Sequence, residues 1–263
     1  MCIRDRPISN IKVLHGTIER GPASATLQFN NADIEESPMA QMLEDRFLRH
    51  CLIQEIKENT LIDLIEQRKI IEIDDTKKQK QLTLDNSSKL KTSLIVASDG
   101  INSPTAKAFG IKKAGWKYKQ RGLVCAVDHE YSSNNTAYQY FLPEGPLAIL
   151  PIKNNTASIV WTESIQNAAT ISEMSEAEYL SVLQNRFGDF LGKLKLTGKR
   201  LSFPLKLSIS EKYVSDKFAV IGDAAHGYHP IAGQGLNAVA FSGYACAHKI
   251  GAKLNINSFK LPK

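Results

Sequence analysis

The chain has 263 residues, 43% of them hydrophobic and 23% charged, an ordinary balance for one or two globular domains with a sizeable core. The net charge of +6 sits mostly on scattered lysines, and a cluster such as Lys77-Lys78-Gln79-Lys80 reads as a solvated turn, not a nucleic-acid stripe. No apolar run approaches the roughly 18 residues of a membrane span, and Cys2, Cys51, Cys125 and Cys246 lie too far apart for a readable disulfide or zinc framework, which implies a reducing compartment.

Met1–Arg6 fits no element. Residues 7–36 alternate polar and apolar in short runs (Ile11-Lys12-Val13-Leu14, Ala25-Thr26-Leu27-Gln28-Phe29) and predict strands of a small meander. From Met39 to Glu55 apolar residues recur at helical spacing, with Ser37-Pro38 as the entry to the helix. Within that helix Glu44-Asp45-Arg46 reads as a surface-charged stretch. Thr60–Leu64, Lys69–Ile73 and Gln81–Leu84 predict short strands of a β-meander. Leu94–Ala97 is a fully apolar run, as in a strand covered on both faces, and it delivers Asp99-Gly100 to its carboxyl end, where ligands of α/β sheets gather.

Residues 121–162 are the most strand-rich. Gly122–Val127, Ala137–Leu142, Leu147–Ile152 and Ala157–Thr162 are separated by turn signals and predict an antiparallel sheet. Its aromatics Tyr138, Tyr140, Phe141 and Trp161 offer either core packing or one wall of an apolar pocket. Ser175-Glu176-Ala177-Glu178 is a capping box that starts a helix running to Gly188. Ser202-Phe203-Pro204-Leu205 then leads back toward the first part of the chain.

The most informative stretch is Phe218 to Asn237. An apolar strand ends in Gly222-Asp223-Ala224, and Pro230 is followed by Gly233-Gln234-Gly235-Leu236-Asn237 opening a helix. An Asp at a strand end can accept two hydrogen bonds from a sugar-like diol. A glycine-rich helix start offers bare backbone N–H groups to an electron-rich group. Together they point to a cofactor with a polyol chain and an anionic ring or phosphate. His226 and His229 have no third ligand at metal-binding spacing, so no metal is expected, and no Gly-x-Ser-x-Gly elbow is present. No acid–base residue is identified.

This stretch resembles the second FAD fingerprint of the flavin-dependent aromatic hydroxylases with the para-hydroxybenzoate hydroxylase fold, and in particular the ubiquinone-biosynthesis hydroxylases. Leu94-Ile95-Val96-Ala97-Ser98-Asp99-Gly100-Ile101-Asn102-Ser103 is similar to their Asp-Gly motif. Tyr140 to Pro151 with Ser158-Ile159-Val160-Trp161 is similar to the sheet region of the quinone branch. The resemblance implies an α/β (α+β) fold: an FAD/NAD(P)-binding Rossmann-like domain, incomplete at its N-terminus, with an inserted antiparallel β-sheet substrate domain. The expected parts are 7–110 (FAD-binding, first part), 111–204 (substrate sheet) and 205–263 (FAD-binding, second part). No Gly-x-Gly-x-x-Gly occurs in the chain, so it is expected to be an internal piece of a longer protein, one that holds FAD weakly or not at all alone.

The resemblance further implies FAD as cofactor, NAD(P)H as co-substrate, and hydroxylation of a polyprenylated phenol with O2 by way of a flavin hydroperoxide. The alternatives are a related hydroxylase of a soluble aromatic, a prenyl-chain reductase, or an inactive piece that cannot hold FAD alone. Cofactor-binding residues would be Asp99, Gly100, Gly222, Asp223, Ala224, Pro230, Gly233, Gln234, Gly235, Leu236 and Asn237. Asp223 would bind the ribityl chain, Asp99 would order the cofactor and nicotinamide region, and His226 would order its loop by hydrogen bonding. The protein is expected in the cytoplasm, peripheral to the inner membrane, in a ubiquinone-biosynthesis complex and without nucleic acid. Glu44-Asp45-Arg46 is similar to a Glu-Asn-Arg run that the quinone branch places beside the cofactor, with Asp45 in place of its Asn. Two further departures stand out. Ala106, with Lys107 next, replaces an Arg usual in the relatives, and Phe241-Ser242 replaces an Arg-Asp pair that anchors the helix.

Overall fold

The computed structural model describes residues 5–17, 21–33, 38–75, 79–153 and 155–253. In chain order the elements are β1 (Asp5–Ile8), β2 (Asn10–Thr17), β3 (Gly21–Asn30), β4 (Ala40–Leu43), α1 (Asp45–Glu58), β5 (Ile70–Asp74), β6 (Lys80–Leu84), β7 (Lys89–Thr92), β8 (Ile95–Ala97) and α2 (Pro104–Ala108). They continue with β9 (Lys113–His129), β10 (Thr136–Leu142), β11 (Gly145–Lys153), β12 (Thr156–Ser164), α3 (Ile165–Glu173), α4 (Glu176–Phe187), β13 (Leu194–Ser210), β14 (Val214–Ser215), β15 (Phe218–Val220), β16 (His226–Gly227) and α5 (Gln234–Lys253). The fold is mixed α/β, and the chain divides into two compact units. One joins the residues up to Leu64 to Lys119–Leu205, the other joins Ile65–Tyr118 to the residues from Lys206 onward.

In the first unit the strands lie in the order β13-β9-β12-β11-β10-β2-β3. The β9–β12, β12–β11 and β11–β10 neighbours are antiparallel, and β10 lies parallel to β2. Alternation along the strands turns Leu123, Cys125 and Val127, and likewise Ile159 and Trp161, to one face. There they are buried with Tyr179, Leu183 and Phe187 of α4. Both helices start where the sequence places a serine: Ser164 Oγ accepts the Asn167 N–H at 3.2 Å, and Ser175 and Glu178 form the reciprocal capping box. Under the helices Glu163, 1% exposed, accepts from the Trp161 indole (3.0 Å) and from Arg186 Nη2 (3.1 Å). The Arg186 guanidinium lies over the Trp161 ring at 4.4 Å.

The second unit holds two three-stranded sheets, β5-β6-β7 and β14-β15-β8. Its core is small: Ile95, Ala97, Ala106, Phe218, Val220 and Ala225, with Phe109 stacked on Phe218 at 4.0 Å.

Several sequence expectations are corrected. Asp5 and Arg6 belong to β1, which pairs with β4. That pairing takes residues 40–43 away from the expected helix, which starts at Asp45 after Glu44 and ends at Glu58. Ser37 lies outside the described residues. Residues 60–64 form no strand, because the Asn59 side chain accepts the Leu61 N–H (2.9 Å) and turns the chain, leaving Leu61 93% exposed. In β8 only Ile95 and Ala97 are buried, while Val96 is 37% exposed on this edge strand although its partner Ala219 in β15 is buried. Lys77 and Lys78 lie outside the described residues. Lys80 is buried rather than solvated, its ammonium 3.1 Å from the Asp75 carbonyl.

Removing one partner of a buried ion pair typically costs about 3–5 kcal/mol because the other charge stays uncompensated. Arg186→Met is therefore expected to lower stability in urea denaturation by about that amount. Arg186→Met combined with Glu163→Gln should recover most of it.

Candidate cofactor site

The site is built in the second unit, on two short parallel strands. β8 and β15 pair as Ile95↔Phe218, Val96↔Ala219 and Ala97↔Val220, and the Ile221 N–H extends the ladder to the Ala97 carbonyl at 3.0 Å. Parallel neighbours release their chains at the same sheet edge, so the turns carrying Asp99 and Asp223 leave side by side. The Lys113 ammonium reports both: burial and the nearby Lys206 charge push its pKa down, while Asp99 and Asp223 pull it up.

The two carboxylates have different jobs. Asp99 accepts from the Ser103 hydroxyl on Oδ1 and from the Thr105 N–H on Oδ2 (3.1 Å), and Ser103 Oγ in turn accepts the Ala106 N–H at 2.9 Å to start α2. Partial burial pushes the Asp99 carboxyl up, but these hydrogen bonds outweigh it and hold the group below its ordinary value. Gly100, at φ +86°, makes the left-handed bend that brings the Ser103 N–H to its carbonyl at 2.9 Å. Asp223 is exposed in the turn Gly222–Ala224, and among the described residues its carboxylate receives no hydrogen bond.

That turn is tethered from behind. Gly222, at φ +58°, donates its N–H to Ser242 Oγ on α5 (2.9 Å), and the same hydroxyl donates to the Val239 carbonyl (3.0 Å). Ser242 thus restores, with a neutral hydroxyl, an anchor that the missing Arg-Asp pair was expected to take away. Gly227 was not singled out in the sequence. A Cβ there would lie 2.2 Å from the Ile101 side chain, so it lets the Asp99 loop close onto the segment after Asp223. Spacing could not reveal it, because the residue it accommodates is far away in the chain.

Ala224 is buried and Pro230 exposed beside this segment. Gly233 turns at φ +64° and gives its N–H to the Pro230 carbonyl (3.3 Å). Open space surrounds Gly233 and Gly235, and Gln234, Leu236 and Asn237 are exposed, so the start of α5 is accessible. His226 is buried and stacked on Tyr228 at 5.0 Å, and among the described residues its Nδ1 has no hydrogen-bond partner. The Tyr213 ring also stands near it, at 6.4 Å. Burial lowers the His229 pKa, and its ring stands edge-on to Tyr118 at 5.2 Å.

In the first unit Tyr138 and Tyr140, two of the four sheet aromatics, line a cavity. Tyr140 and Trp161 are buried beneath the helices, and Tyr138, two residues from Tyr140, shares its face, whereas Phe141 points the other way and is 42% exposed. That cavity, of about 500 Å3, is lined also by Leu14, Phe187 and Phe190, with Lys12 at its wall. No helix among the described residues is long and apolar enough to cross a membrane.

Paired acidic turns at one parallel-sheet edge, followed by a glycine-rich helix start, place the chain among α/β proteins whose ligands gather at the carboxyl ends of parallel strands. The sequence profile of the FAD binding domain matches residues 24–257, and the chain belongs to that family. Among curated relatives it is 34% identical over 249 residues to an uncharacterized Synechocystis protein, slr1300, with 92% of this chain and 60% of that one covered. It is 33% identical to the ubiquinone hydroxylase UbiL of Rhodospirillum rubrum (88% and 53% covered), and 28% to the 3-demethoxyubiquinol 3-hydroxylase of Escherichia coli (81% and 54%). The chain thus spans little more than half the length of these relatives. A solved structure of similar fold is PqsL, a probable FAD-dependent monooxygenase from Pseudomonas aeruginosa, with TM-score 0.75 and 20% identity over 95% of this chain and 70% of that one.

A buried donor left without its acceptor costs about 1–3 kcal/mol. Ser242→Ala is accordingly expected to speed amide hydrogen exchange at Gly222 by about tenfold or more while the amides of β12 exchange as before.

Proposed function

We propose that this chain is the cofactor- and substrate-binding part of an FAD-dependent monooxygenase that hydroxylates the ring of a polyprenylated phenol in ubiquinone biosynthesis, with O2 as oxidant and NAD(P)H as reductant. The observation that carries the reading is the exposed Asp223 carboxylate, which receives no hydrogen bond among the described residues, beside the Asp99 turn at one sheet edge. The kinship with UbiL and the 3-demethoxyubiquinol 3-hydroxylase supports the quinone-precursor substrate. The residues fit the cofactor: Asp223 offers two acceptor oxygens to the ribityl diols, and Gly100 shapes the loop that Asp99 holds. Gly222 and Ala224 set the Asp223 turn. Pro230, Gly233, Gln234, Gly235, Leu236 and Asn237 form the open segment against which the flavin ring would lie.

When bound, the flavin supplies the oxygen chemistry that no side chain can. The chain's own part is to bind, orient and exclude water. Gln234 and Gly235, at the start of α5, place backbone N–H groups and the positive helix end where negative charge on the flavin would be favoured. The sheet unit takes the substrate-binding role. The basic excess suits a working place at an anionic membrane surface, and association with other ubiquinone-biosynthesis proteins belongs to the same reading.

Hydrogen bonds to a charged group contribute about 1.5–3 kcal/mol, so Asp223→Ala is expected to weaken FAD binding by about tenfold or more in a flavin-fluorescence titration. Substrate class is tested by incubating the FAD-loaded protein with NADH or NADPH, O2 and either a polyprenylated phenol or 4-hydroxybenzoate, then weighing the products by mass spectrometry. Oxygen insertion is expected only in the prenylated phenol. Insertion only in the soluble acid would overturn the assignment of the substrate.

A further inference from the structure

Two lysines at the same sheet edge have no part in the reading so far. Lys113 comes from β9 and Lys206 from β13, and the strands approach so closely that a Cβ on Gly115 would lie 2.1 Å from the Leu207 carbonyl oxygen. Each ammonium is steered onto the loop that follows Asp99-Gly100. Lys113 Nζ donates to the Ile101 carbonyl at 2.8 Å, and Lys206 Nζ donates to Asn102 Oδ1 at 2.8 Å. An ammonium carries three donors, so each lysine keeps donors in hand beyond these bonds. Among the described residues no carboxylate stands within ion-pairing distance of either. Asp99, whose charge could answer them, has both oxygens engaged by Ser103 and Thr105. Burial first and then the Lys206 charge lower the Lys113 pKa, while Asp99 and Asp223 raise it. Two like charges held near one another, anchored by neutral acceptors and partly withdrawn from water, are stabilised by a multiply charged anion placed between them.

We propose that Lys113 and Lys206 form a subsite for the diphosphate group of a dinucleotide. The inference rests on the reading of this edge as the cofactor site. Lysine suits the task as a mobile point charge that can answer more than one phosphate oxygen. It also supplies, from two strands far apart in sequence, positive charge beside the loop that follows Asp99. The diphosphate could belong to FAD or to the nicotinamide co-substrate, and both present the same chemistry to the pair.

The test compares the wild-type chain with the double variant Lys113→Gln/Lys206→Gln, in which glutamine keeps a donor for Ile101 and Asn102 but removes both charges. Thermal melting establishes that the variant is folded, and Lys113→Arg/Lys206→Arg is expected to restore binding if a folded state is retained. Titrations are run with FAD, with riboflavin (which lacks the diphosphate), with inorganic pyrophosphate, and with NADH and NADPH on FAD-loaded protein. A weakening of about tenfold or more for FAD, with riboflavin unchanged and the loss diminished at high salt, assigns the subsite to the flavin dinucleotide. Unchanged FAD binding with a comparable loss for NADH or NADPH assigns it to the nicotinamide dinucleotide. If the wild-type chain takes no FAD but binds pyrophosphate in a lysine-dependent way, the subsite stands and the flavin reading falls. Equal affinities of wild type and variant for every one of these ligands would overturn the proposal.

Discussion

The site depends on one short piece of backbone pairing, the parallel ladder between β8 and β15. Three registered residues on each strand fix the direction in which both chains leave the sheet, and therefore bring together two turns more than a hundred positions apart. Ile95, Ala97, Phe218 and Val220 hold that ladder in place by burial, and burying side chains of the Val, Ile or Phe class is worth about 1.5–3 kcal/mol each. A slip of one residue would turn Ile95 and Phe218 to the opposite face, so the apolar pattern that stabilises the sheet also sets the position of Asp99 against Asp223. The first unit builds its core from a much broader sheet under two helices. The cofactor edge thus sits on the smaller of the two cores, where backbone turns and tethers have more of the positioning to do.

Those tethers explain why two aspartates in similar settings behave differently. Asp99 is an internal strut: its oxygens close a loop and start a helix, and their low protonation tendency follows from the donors they meet. Asp223 is presented by a loop that is itself held from behind, so its carboxylate remains available. Gly222 makes this arrangement feasible by adopting a left-handed φ.

Much of this was legible in the sequence where a local signal and a tertiary requirement coincide. Phe218-Ala219-Val220 before Gly222-Asp223 names a strand and its turn, and Ser175 with Glu178 names a helix start, because capping is decided within one turn of chain. The failures have physical causes as well. Residues 39–43 share the spacing of the helix that follows, but pairing with β1 overrides propensity over so short a span. Tyr140 and Phe141 could have been separated on paper, since adjacent strand residues face opposite ways. Gly227 under Ile101, and Lys206 on Asn102, could not, since both join segments about a hundred residues apart or more with no periodic mark.

The departure at Phe241-Ser242 shows how a lost charge pair need not loosen a site. An ion pair anchoring a helix must recover the desolvation of two charges through good geometry. A serine hydroxyl has one donor and acceptor lone pairs, and Ser242 uses the donor on Val239 of its own helix and an acceptor on Gly222 across the turn. The side chain is short, so the link it makes is short, and it ends on the backbone of the residue immediately before Asp223 rather than on another mobile side chain. Phe241, which has no such partner, is 73% exposed. Position 242 therefore carries the structural duty of the pair. It does so through a contact whose strength is insensitive to salt, beside an edge where the lysines and carboxylates already crowd the local electrostatics.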